Sequence, residues 1–550
     1  MGEAMVSGAD QLRAVARAEA YSSRAAWAEA ATTWEHVVAA NPVNGDHWER
    51  LAQARFHLAD FAGALAALEQ VLVLGVSATR EDTVAPGELR YRVAWCHAEL
   101  GDTDQAVAAL CDAVASGYRD VAGLADDERF RKVCGHPRFR ELLGSVPRAG
   151  LGRDDGWRTN LEALADEIRR RAPRPAPTLD VEALVAAVPR LSDARIVVEL
   201  TKLVAQLDDG HGFVEVPAGD PELSLLLPVQ FSLFPEGLFV VAATPEHQDL
   251  LGAEVERFDG REVAEVLDAL GPLVNKDNEY GARERIVQVL RRVPILHALD
   301  LTHAPDRVTL GLWAPDRRST DVTLSATPGA WAQRNELPAP PGWLSFSDTS
   351  TDRPPLYLRN CEAFYWFEHL PEQRAVYFQF NTIRDHPHES IEAFARRLFE
   401  FIDRHEIERL VVDLRWNGGG NNMLVRPLLN GLTGSRRINR RGSLFVVIGR
   451  RTFSAGQYVA TAIEAGTDAI FVGEPTGSRP NFVGETTPFR LPHRGIRVNV
   501  SDVHWQNSWP FDHRRWIAPE LYAPPTFACL RAGRDPAMEA ITGVWAALPH

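Results

Sequence analysis

From residue 10 to about 145, small and apolar residues recur three and four positions apart and strand-type alternation is nearly missing, which predicts a run of amphipathic helices. The pattern also repeats. Aligning AAWAEAATTWEHVVAANP with DHWERLAQARFHLADFAGALAALEQVLVLG puts Ala30 on Ala64, Trp34 on Leu68 and Val37 on Val71, a spacing of 34. A third copy, RYRVAWCHAELGDTDQAVAALCDAV, places Ala106 and Leu110 in the same roles 42 residues on, which requires an eight-residue insertion near SATREDTVAPGE.

The periodicity breaks between 148 and 175, where PRAGLGRDDG through RAPRPAPT supplies glycine, charge and alternating proline. DVEALVAAVPRLSDARIVVELTKLVAQLDDGHGFVEVP then reads as two amphipathic helices ending at a glycine-flanked histidine. Residues 224 to about 325 predict a β-rich region with one helical insert, from LLLPVQFSLFPEGLFVVAA, GAEVERFDGREV and DRVTLGLWAP. After the connector LPAPPGWLSFSDTSTDRPP, strand and helix alternate. RAVYFQFN, RLVVDLRW, SLFVVIG and AIFVGEP read as strands; SIEAFARRLFEFIDRHE, VRPLLNGL and SAGQYVATAIEAG read as helices. That order predicts a layered α/β domain with crossover connections. Four segments follow: helical repeats over 1–147, a linker and helical segment over 148–222, a β-rich region over 223–330 and an α/β core over 331–550.

A chain of 550 residues exceeds one compact core, in agreement with a multidomain reading. Its net charge of −15, from 59 basic and 74 acidic residues, argues against nucleic acid or an anionic membrane as partner. The five cysteines, Cys96, Cys111, Cys134, Cys361 and Cys529, are odd in number, widely spread and without a CxxC pair. They suggest neither a disulfide framework nor a zinc site, and a reduced, cytoplasmic setting is expected. MGEAMVSGADQLRAVARAEA lacks a basic n-region followed by an apolar one, and no run of eighteen apolar residues occurs, so neither a signal peptide nor a membrane span is expected. Lysine is scarce: Lys132, Lys202 and Lys276 are the only ones.

Two stretches carry candidate chemistry. In DLRWNGGGNN, three glycines follow a strand, so bare backbone N–H groups can turn toward a ligand; a flexible turn is the plainer reading. In GRRTFSAGQYVATAIEAG, Ser454 stands where strand gives way to helix. It is either an N-cap or a nucleophile placed where a helix N-terminus helps hold negative charge. Successive parallel βα units bring both stretches to one sheet edge, where an oxyanion hole could face a nucleophile.

The repeats resemble tetratricopeptide repeats, with a small residue where two helices touch, Pro42 closing the first copy and Ala59 standing where glycine is usual. The glycine loop after DLR, TFSA at a helix start and FVGEPTG, together with PLYLRNCEAFYWFEHLPEQRAVYFQFN before and WIAPELYAP after, resemble the tail-specific, or C-terminal processing, serine peptidases over most of residues 175 to 530. That resemblance implies a crotonase-like α/β core, and LLGAEVERFDGREVAEVLDAL is similar to the latter half of a PDZ module. Many members of this family use a serine–lysine dyad with the lysine some way beyond the serine; no lysine follows Lys276, and arginine cannot serve as the base. The tricorn-like branch uses a histidine ahead of the PDZ-like region, which His211 in DDGHGF matches. Gly210 stands where that branch has a second serine, and Gly212 where threonine is common.

The resemblance assigns Ser454 as nucleophile, His211 as general base, and the N–H groups of Gly419 and Ala455 as the oxyanion hole. Asp512 in WPFDHRRWIAP is the first candidate for the acid orienting His211, and Glu485 in FVGETT the second. Asp413 and Arg415 are expected to fix the glycine loop, while His386, His388, His504 and His513 have no assigned chemistry. No metal and no organic cofactor is implied. Extended or unfolded polypeptides are the expected substrates, with a protein partner or substrate on the helical repeats. A catalytically silent peptide-binding adaptor of the same fold stands as the alternative, and an esterase or amidase would use the same machinery.

Overall fold

A computed structural model describes the chain apart from residues 1–7, 77–85, 117, 119, 122, 126, 144–150, 172–179, 314–318, 333, 350–353, 487–488 and 548–550. The chain forms two compact units, Met1–Arg148 and Ala149–His550.

In the first unit the helices Gly8–Ser23, Trp27–Ala40, Gly45–His57, Phe61–Leu74, Pro86–Leu100 and Thr103–Ala115 each pack on the next. Ala30, Ala64 and Ala106 are fully buried, as close helix contact at a repeated position requires. The turns repeat as well: Ala25 and Ala59 both have φ of 56° and Gly101 has 88°, at the same spacings as the sequence copies. A left-handed residue there explains why glycine suits the position. Most of the expected insertion, residues 77–85, lies outside the described residues.

In the second unit the helices Arg153–Arg171 and Asp193–Ala205 share one apolar interior with the β-rich region. Trp157, Leu161 and Val204 belong to the same cluster as Phe231, Phe258 and Leu290, so residues 148–222 and 223–330 are not separate cores. The main sheet of this region runs Leu344–Ser345, Gly237–Ala243, Glu254–Phe258, Arg307–Trp313, Ser319–Ser325, with Val229–Phe234 also on Gly237–Ala243. Three helices occur where one insert was expected: Val263–Leu270, Glu279–Val289 and Val293–Ala298. Asn278 starts the second by accepting from Gly281 N–H at 2.9 Å, and Pro294 falls in the first turn of the third, where its missing N–H does no harm.

The α/β core holds a six-stranded sheet. Tyr365–Leu370 is antiparallel to Ala375–Phe380, which continues in parallel through Arg409–Asp413, Leu444–Ile448, Ile470–Gly473 and Leu521–Tyr522. AVYFQF and LFVVI are buried at every position because both faces are covered. Phe378, Val412 and Val446 pack with the helices Ile391–Arg404, Arg426–Gly434 and Ala455–Gly466 on one face. Tyr377, Val411 and Phe445 pack with Ala537, Ile541 and Trp545 of the helix Pro536–Ala547 on the other.

Asp413 and Arg415 do more than fix a loop. Arg415 donates to both oxygens of Asp535 at 3.0 and 2.9 Å and to Asp413 at 3.1 Å, while Tyr377 donates its hydroxyl to Asp413 at 2.6 Å. This buried triad ties the strand leading into the glycine loop to the start of the C-terminal helix. No helix among the described residues is long and apolar enough to cross a membrane.

Candidate active site

The last residue of Leu444–Ile448 leads through a tight turn into the helix Ala455–Gly466. Thr452 holds that turn, accepting from Gly449 N–H at 3.1 Å and donating to Leu414 O at 2.8 Å. At its end Ser454 has φ 55° and ψ −125°, a backbone conformation that side-chain-bearing residues rarely adopt. Such strain costs about 1–3 kcal/mol and persists only where the surroundings impose it. Ser454 is not a side-chain N-cap, and among the described residues its hydroxyl makes no hydrogen bond. Strain and a free, half-buried hydroxyl are what a strand-to-helix nucleophile turn requires.

The glycine loop lies directly against this serine. Gly419 has φ 110°, and a Cβ on it would come within 2.8 Å of Ser454 Cβ and 3.0 Å of Ala455 N, so only glycine allows the approach. Asn417 organises the loop: its amide donates to Phe380 O at 2.9 Å, its side-chain oxygen accepts from Gly419 N–H at 3.0 Å, and its carbonyl accepts from Phe453 N–H at 3.0 Å. The two expected oxyanion donors therefore differ. Gly419 N–H already has a partner, whereas Ala455 N–H makes no hydrogen bond among the described residues.

His211 reaches the same crevice from far earlier in the chain. The strand after it, Phe213–Glu215, pairs antiparallel with Arg497–Asn499. Asp209 accepts from the N–H groups of His211 at 2.8 Å and Gly212 at 2.5 Å and from the hydroxyl of Ser501 at 2.9 Å. Asp277 accepts from Gly210 N–H at 2.9 Å and from the hydroxyl of Ser478. The imidazole packs against the ring of Phe453, the residue before Ser454, at 4.4 Å and against that of Phe482 at 5.4 Å. The glycines flanking His211 are closely packed: a Cβ on Gly210 would meet the Phe453 ring at 2.6 Å, and one on Gly212 would meet the Asn275 amide at 2.7 Å. Serine and threonine do not fit there without moving these partners.

Electrostatics favour a neutral ring. Burial first, then the positive charges of Arg285 and Arg334, push the His211 pKa down to about 3. Its Nδ1 is buried without a hydrogen-bond partner. Neither expected acid reaches it. Asp512 accepts from Ser508 at 2.7 Å and from Arg514 at 3.0 and 2.8 Å, and Arg514 in turn binds Glu464 at 2.8 Å; the arginine holds the Asp512 carboxyl down to about 2. Glu485 is exposed and follows Gly484, the residue whose Cα faces the imidazole. Burial pushes the Asp277 carboxyl up to about 6 and raises that of Asp209. Their roles as clips on the histidine loop were not assigned from the sequence. For Asp209 the signal was available, because an aspartate two residues before a turn commonly accepts from the following N–H groups. His386 and His388 sit by a turn before Ile391–Arg404, and no group of three metal-ligating side chains occurs among the described residues.

No family profile matches the chain, and no curated protein matches it. Among solved structures, mature CPAF in complex with lactacystin is similar over 72% of this chain and 98% of its own, at 14% identity and a TM-score of 0.50. The photosystem II D1 C-terminal processing protease is similar over 71% and 96%, at 14% identity and 0.34. The tricorn protease is similar over 72% and 36%, at 16% identity and 0.29. At such identity the likeness to CPAF is one of fold.

Proposed function

We propose that the chain is a serine peptidase acting on extended or unfolded polypeptides. The carrying observation is the strained backbone of Ser454, its unpartnered hydroxyl held against the glycine loop, with His211 packed on the ring of the preceding residue, Phe453. In this reading Ser454 Oγ attacks the carbonyl carbon and its proton passes to His211. The oxyanion receives Ala455 N–H, and Gly419 N–H shares its proton between Asn417 and that oxygen. Collapse expels the amine, which takes the proton from His211, and water then releases the acyl group by the reverse sequence. The fold shared with CPAF supports this reading. In it the core is crotonase-like, the β-rich region PDZ-like, and the tetratricopeptide-like repeats bind a partner or substrate in the cytoplasm.

A fluorophosphonate probe tests it. Wild-type chain is expected to label, and labelling is expected to disappear in Ser454→Ala and in His211→Ala. The second reading, a silent peptide-binding adaptor, is favoured by the orphan Nδ1 of His211, which no acid orients. Absence of labelling in folded wild-type protein would establish the adaptor instead.

The neutral ring sets the pH dependence. A general base must be unprotonated, and kcat/KM reports the free enzyme's groups. With the imidazole at about 3 rather than 6.5, kcat/KM is expected to stay level as pH falls from 7 to about 5. A fall centred near the ordinary imidazole value would mean that His211 is not the base in this setting.

A further inference from the structure

We propose that Arg334 recognises substrate, receiving a carboxylate that the polypeptide carries within one residue of the bond to be cleaved. This rests on Ser454 being the nucleophile and names what the same site selects.

The guanidinium of Arg334 touches both segments that frame the reaction. Its Cζ lies 4.8 Å from the ring centroid of Phe453, the residue before Ser454. Its Nη1 lies 2.0 Å from where a Cβ of Gly418 would be, and Gly418 precedes the glycine packed on Ser454. The loop thus leaves a place that the guanidinium fills and an alanine would occupy.

What the guanidinium lacks is an acceptor. Among the described residues Arg334 makes no hydrogen bond and no ion pair, although it carries five donors. Its arginine neighbours each have at least one polar partner, although among the described residues Nε of Arg451 and Nε of Arg291 make no hydrogen bond. Arg285 donates to Asn275 O at 2.7 Å and lies in the field of Asp277 and Asp209. Arg451 faces Glu284 at 3.4 Å and donates to Asn335 O at 2.8 Å. Arg291 and Arg292 donate to the carbonyls of Leu227 at 3.3 Å and Ala332 at 3.2 Å. A partly buried cation without a hydrogen-bonded acceptor is costly, and the field of Glu284 and stacking on Phe453 offset only part of that cost. Burial, then the like charges of Arg285 and Arg451, push the Arg334 pKa down to about 9.

The residue is also held in place. Next to it, Asn335 donates to Phe231 O at 2.7 Å and accepts from Gln288, so the backbone beneath Arg334 is fixed. A preset planar fork without a partner suits a carboxylate, which it binds through two parallel hydrogen bonds. A bound carboxylate would also screen one of the two cations that disfavour protonated His211, helping the ring take the serine proton. The carboxylate has two sources: an acidic side chain beside the scissile bond, or the free terminus of the residue released.

Two peptide pairs separate them on the full chain. One pair is amidated at its end and carries glutamate or glutamine beside the cleaved bond; the other has no acidic side chain and a free or amidated terminus. Wild type is expected to cut the acidic member of one pair about tenfold faster in kcat/KM, and R334Q to bring that ratio within about twofold. G418A, whose methyl group takes the place of Nη1, is expected to lower the same ratio, and R334K, charged but without the fork, to keep part of it. A response in the first pair assigns the side chain, and a response in the second assigns the terminus. Cleavage with neither ratio changed by R334Q would overturn the role of Arg334 alone. Wild type that neither cleaves nor labels with a fluorophosphonate would overturn the nucleophile along with it.

Discussion

Ser454→Gly is expected to abolish activity and to stabilise the protein. The serine backbone at φ 55° and ψ −125° stores about 1–3 kcal/mol that glycine does not incur. Glycine's greater freedom in the unfolded chain returns about 0.5–1 kcal/mol, leaving a net gain of about 1 kcal/mol. Removing the proposed nucleophile is expected to cost about 10⁴-fold or more in kcat, as for other serine enzymes. Ser454→Ala is the control: it loses the same activity but keeps the strain, so its thermal midpoint should match wild type while that of Ser454→Gly rises. Equal midpoints for the two variants would mean that the turn is not strained, and the argument from geometry to nucleophile would fail with it.

Arg415→Ala is expected to be the most destabilising single change in the core, by about 3–5 kcal/mol in chemical denaturation. It leaves Asp413, fully buried, and Asp535, 6% exposed, facing one another without their cation. The exposed Arg441–Glu520 pair gives the comparison, since its loss is expected to cost less than about 1 kcal/mol. A similar small effect at both sites would show that the triad is not what anchors the C-terminal helix.

Much of this architecture is legible in the residues. Runs such as LFVVI, with no polar position, announce a strand covered on both faces, and the strand–glycine–serine–helix order places the two loops at one edge. The repeat turns are also legible, since Ala25, Ala59 and Gly101 keep the spacing of the copies. What was not legible depends on which of several possible partners each group takes in the folded chain. Asp512 stood in a fitting stretch, but Arg514, two residues on, takes both its oxygens. Gly419 packs on Ser454, yet its N–H turns to Asn417, which composition does not announce. Asp277 and Arg334 sit in stretches without a motif, and their meaning arises only when Ser478 and Phe453, far along the chain, fold against them.

The clips on the histidine loop bear on how the chain comes into being. Ser478 and Ser501, which hold Asp277 and Asp209, are made after Ser454, as is the strand Arg497–Asn499 on which the segment beyond His211 docks. During synthesis the hydroxyl therefore exists before Ser478, Ser501 and the strand Arg497–Asn499 can complete the fastening of the histidine loop. A copy interrupted after Ser454 and before Ser478 carries that serine and His211 without any of these three supports.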